Sequence, residues 1–116
     1  MSSPIIGISS APNTALARVA AHLEAAFWHA HASAGDDLLS PWADTAQTID
    51  IAAGAVHLHL SGPVEPTGHP DCLTALLAAE QELIQLPPTQ SLPLVHFVLA
   101  RTHLTAALRE TLALQS

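Results

Sequence analysis

Lysine and tyrosine are absent from this chain, cysteine occurs once, and Arg18, Arg101 and Arg109 are its only arginines. Affinity for nucleic acid comes mostly from neutralised phosphates. Three scattered arginines against ten carboxylates, for a net charge of −7, argue against a direct nucleic-acid binder. An anionic membrane surface is disfavoured on the same ground. The lone Cys72 excludes an internal disulfide and any zinc site built on cysteine pairs. No apolar run approaches the ~20 residues of a membrane span. The opening MSSPIIGISS has neither a basic region nor a long apolar core, so no signal peptide is expected and the cytoplasm is the expected compartment.

Charge of either sign is scarce. Charged residues make up 11% of the chain and hydrophobic residues 49%, whereas an average domain is about 25% charged. A length of 116 residues suits a single domain, 1–116, with one core. So little charge leaves apolar surface to be covered by a partner. A homo-oligomer is the simplest cover, with a two-fold dimer first. A protein partner is the other expectation. Short alanines also swell the hydrophobic count, and this weighs against both.

Along the chain, PIIGIS (residues 4–9) reads as a buried β-branched strand. Asn13 or Thr14 can cap a helix running from Ala15 to about Ala34. Its apolar stripe is Leu16, Val19, Ala20, Leu23, Ala26 and Phe27, and Gly35 is its natural stop. Ser40 and Pro41 then mark a one-turn helix in a connector spanning 36–46. TIDIAAGAVHLHLSG reads as a hairpin turning at Ala53-Gly54, with Ile49 and Ile51 facing inward on one strand and Val56, Leu58 and Leu60 on the other. A Pro/Gly loop over 62–70 follows. Asp71 caps a helix over about 71–86, LPLVHFVLA reads as an apolar strand, and Thr102 caps a last helix. The order β-α-β-β-α-β-α matches a ferredoxin-like α+β fold. Four antiparallel strands would carry two helices on one face, with the C-terminal helix left over.

Eight histidines stand out in so apolar a chain. On the strand reading, His57 and His59 share the helix-free face. His96 faces the same way two strands over, and Gly7 between them leaves a shallow notch. Three imidazoles could hold Zn²⁺. His96, however, would stand about 10 Å away across two strand spacings, too far for ligands that sit about 2 Å from the ion. No HExxH or Cys/His spacing is present either. No cofactor is therefore expected, and His57, His59, His96 and Gly7 are candidates for a ligand or interface surface. Trp42 joins them as a partner anchor, with core packing as the plainer use of that ring.

The remaining histidines have simpler uses. His22 and His29 lie seven apart beside Arg18, as a solvated helix stripe. His31 suits a helix C-terminus, and His103 has no evident role. His69 and Asp71 flank Pro70, where Asp71 serves best as a cap. Cys72 has no base beside it in sequence, so a bystander thiol is expected. GxSxG, Walker and GxGxxG motifs are absent. Three functions follow. The first is a non-enzymatic binding or regulatory module acting as a homo-oligomer, which the low charge favours. The second is a metal- or small-molecule-binding protein using the histidine-lined sheet face. The third is an enzyme using His69 or the strand histidines as acid–base groups.

Overall fold

Ser40 and Pro41 start not one helical turn but five. In a computed structural model that describes residues 14–87 and 92–115, the chain forms four α-helices and no strand among those residues. They are α1 (Ala15–Ala34), α2 (Pro41–His57), α3 (Cys72–Ile84) and α4 (Leu94–Gln115). The ferredoxin-like α+β expectation is thereby overturned. The strand expected at 4–9, with Gly7, lies outside the described residues.

The first and third helices form where the sequence signals stand. The Thr14 hydroxyl accepts from the Ala17 amide at 3.1 Å and caps α1. Gly35, at φ 60°, ends it by donating its amide to the His31 carbonyl. Asp71 accepts from the Thr74 amide at 2.8 Å and caps α3. That bond holds the Asp71 carboxyl below its ordinary pKa, because it favours the charged form.

The hairpin expected at 48–62 is mostly helix. Ser40 accepts from the Trp42 amide, and Pro41 occupies the first turn without needing an intrahelical donor. Thr45, Ala46, Ile49, Ala52, Ala53 and Val56 are all buried, at helical spacing. The strand reading followed a partly different set, Ile49 with Ile51 and Val56 with Leu58 and Leu60, of which Ile51 and Leu58 are exposed. Five alanines between 43 and 55 decide for helix, alanine having the strongest helix propensity. Gly54 inside the helix costs only about 1 kcal/mol relative to alanine.

The expected strand 92–100 and the expected helix after Thr102 are one helix, α4. A short apolar run carries no period of its own. Between Leu94 and Gln115 there is no Gly or Pro to break it, so it propagates for 22 residues. Thr102 is exposed in mid-helix and caps nothing.

The helices enclose one apolar cluster. α1 packs on α2 and α3, and α4 packs on the same two, more loosely on α3. The helices therefore ring the core in the order α1, α2, α4, α3. α2 and α3 lie on a diagonal, so residues 58–71 cross the molecule to join them. Leu23, Ile49, Leu76, Leu83 and Leu104 are fully enclosed. Thr45 and Thr111 are the buried polar side chains among the described residues. The Thr45 hydroxyl donates to Glu110 at 3.0 Å, and Thr111 lies 3.7 Å from the Cys72 sulfur. No described helix is long and apolar enough to cross a membrane.

Candidate functional site

The connector 58–71 is fastened at both ends by pairs of imidazoles. Near its start, His59 Nε2 lies 2.6 Å from His96 Nδ1 on α4, with ring centroids 4.8 Å apart. Near its end, His69 Nε2 lies 2.8 Å from His22 Nδ1 on α1. In each pair one ring nitrogen donates and the other accepts, so at most one ring of the pair can carry a positive charge while the bond holds.

The His22 end is the more elaborate. His29, two turns along α1, donates from Nε2 to the His69 carbonyl at 2.8 Å and so fixes that residue's backbone. The Thr67 amide donates to the Ala21 carbonyl at 3.2 Å. On the other side of the His22 ring, Nε2 faces Glu82 of α3 at 3.7 Å. The Arg18 guanidinium holds that same carboxylate oxygen at 2.8 Å. Burial pushes the His22 pKa below its ordinary value. The neighbouring His69 adds to the shift and Arg18 contributes a little, while Glu82 opposes them. These surroundings favour the neutral form of the His22 ring.

His57 and His59 do not share a face. His57 is the last residue of α2, and its Nε2 lies 3.3 Å from Glu24 of α1, too poorly aligned for a hydrogen bond. His59 turns to α4 instead. The chain thus brings together two of the three sequence candidates, His59 with His96, and places His57 on another seam. The distance that argued against their meeting belonged to a sheet geometry. Gly7 lies outside the described residues.

Trp42, in the first turn of α2, takes the plainer of the two uses its position suggests. It is half-buried against the core rather than standing out as an anchor. Trp28 is 53% exposed, edge-on to Phe27 and His31. Cys72 is buried at the start of α3, and burial raises its thiol pKa, the behaviour of a bystander rather than a nucleophile.

Sequence reasoning missed the set formed by Arg18, His22, His29, His69 and Glu82. The stripe of Arg18, His22 and His29 is visible as a helix face. Its partners on the 62–70 loop and on α3 depend on which helix neighbours α1.

The outer face of α4 is the second feature. Leu94, Val95, Val98 and Leu99 are 77%, 73%, 52% and 39% exposed. An open groove of about 530 Å³ continues along the helix, lined by Phe97, Val98, Arg101, Thr102, Thr105 and their neighbours.

Comparison with protein families, with characterised proteins and with solved structures found no match for this chain.

Proposed function

We propose that this chain is a small non-enzymatic binding module that works as a homo-oligomer, a dimer in its simplest form, with the outer face of α4 as its seam. The observation that carries the reading is the run Leu94, Val95, Val98 and Leu99, four large apolar side chains turned to solvent on two successive turns of one helix. Contiguous exposed apolar patches usually mark interfaces. A second copy is the occupant always present at the protein's own concentration, and two-fold pairing is the commonest arrangement. The low charge of the whole chain agrees with this, since interface cores are depleted of charge. The described groove is open and lies along α4, away from the His22–His69 pair, so it offers no water-excluding cavity around that pair for acid–base chemistry.

Sedimentation or light scattering at micromolar concentration tests the proposal. The expected result is a dimer that becomes a monomer in Val98→Glu with the helical signal unchanged. A wild-type chain that stays monomeric across that range overturns it, as does a dimer indifferent to charge at positions 94 and 98.

A further inference from the structure

We infer that His59 and His96 form a two-imidazole site for a borderline transition-metal ion such as Zn²⁺ or Ni²⁺, joining the connector to the first turn of α4. The two facing nitrogens are 2.6 Å apart and both side chains reach solvent. Two nitrogens bound to one tetrahedral ion, each at 2.0–2.1 Å, stand about 3.3 Å from each other. The rings need therefore open by only about 0.7 Å for an ion to replace the shared proton. Each ring is carried on a different element and the contact lies at the surface, so side-chain rotation supplies that movement. Imidazole nitrogen selects Zn²⁺, Cu²⁺ or Ni²⁺ over the hard cations Mg²⁺ and Ca²⁺. The chain's charge of −7 raises the local concentration of any cation.

The other imidazole pair is the natural competitor, and its surroundings oppose an ion. Arg18 lies beside His22 and places a fixed positive charge near that ring. The His59–His96 contact is made by the two rings alone, with no arginine taking part. Among the described residues no third His, Cys, Asp or Glu joins either pair in a ligand group. Water or an external ligand completes the coordination at His59 and His96, so the bound ion is exchangeable and open to a further donor. Binding here would lock the crossing connector to α4, next to the apolar run Leu94–Leu99 but independent of whether that run pairs with a second copy.

Calorimetric titration of the metal-free full chain with ZnCl₂ and with NiCl₂ at pH 7.5 tests the site, with MgCl₂ as the hard-cation control. One ion per chain is expected, together with a rise in melting temperature, because a ligand that binds the native state stabilises it. His59→Ala and His96→Ala should each weaken binding by at least the 10–100-fold typical of losing a metal's supporting residue. His22→Ala should leave it unchanged. Ni²⁺ should also broaden the ring resonances of His59 and His96 before those of the other six histidines. Absence of Zn²⁺ and Ni²⁺ binding overturns the assignment. Binding that survives both His59→Ala and His96→Ala, or broadening centred on other rings, overturns it equally.

Discussion

His22 Nδ1 and His69 Nε2 sit 2.8 Å apart, joining the middle of α1 to the loop that leads into α3. The charged groups facing His22 are Arg18 on its own helix, His69 on the connector and Glu82 on α3. With the folded-state pKa of His22 lowered, the unfolded chain binds a proton at this ring before the folded chain does. Stability is therefore full above the ordinary histidine pKa of about 6.5 and falls as pH drops through it towards the lowered folded value. Urea denaturation at pH 7.5 and 5.5 should show the lower stability at 5.5. His69→Ala removes a cause of the lowered pKa, so its difference between the two pH values should shrink. Equal stability of the wild type at both values would refute this.

Gly54 is exposed inside α2, and a Cβ built on it meets nothing within 4 Å. Its backbone is not in the positive-φ region. Gly54→Ala should then raise stability by about 0.5–1 kcal/mol, since glycine loses the most backbone entropy on entering a helix. Thermal or urea melting measures the change. A loss of stability would mean that α2 does not continue unbroken through this position.

The Cys72 thiol is buried at 3% exposure beside Thr111, where α3 meets α4. An aromatic disulfide reagent should modify it only when this seam opens. The native reaction at pH 8 should be slower than that of the urea-unfolded chain by more than about a hundredfold, because core segments open with free energies near that of global unfolding. Similar rates in the two states would show that the α3–α4 contact is loose.

Two of the four helices were legible from end to end in the sequence, and for a local reason. α1 and α3 begin at side chains that cap them, Thr14 and Asp71, and α1 ends at a glycine. Capping needs only neighbours within a few residues. α2 and α4 were legible only in part. Ser40 and Pro41 mark the start of α2, and the residues after Thr102 are helical as expected. The stretches 48–60 and 92–100 read as strand because their apolar residues satisfy two periods. Ile49 with Ile51, and Val56 with Leu58 and Leu60, alternate as well as any strand. Only Ile49 and Val56 of these five are buried. In α4 the outward face is itself apolar at Leu94, Val95 and Val98, so the helix shows little amphipathic contrast to detect.

By itself the sequence determined the scarcity of charge, the lone thiol, the abundance of imidazole and the ends of α1 and α3, all of them set by composition or by side chains acting within one turn. Only the tertiary structure decided which histidines meet. His22 and His69 are separated by 47 residues, and His59 and His96 by 37. What brings them together is the diagonal placement of α2 and α3, which carries the connector between them past α4 at one end and α1 at the other. That placement follows from how four apolar stripes close around one core, and no single segment encodes it.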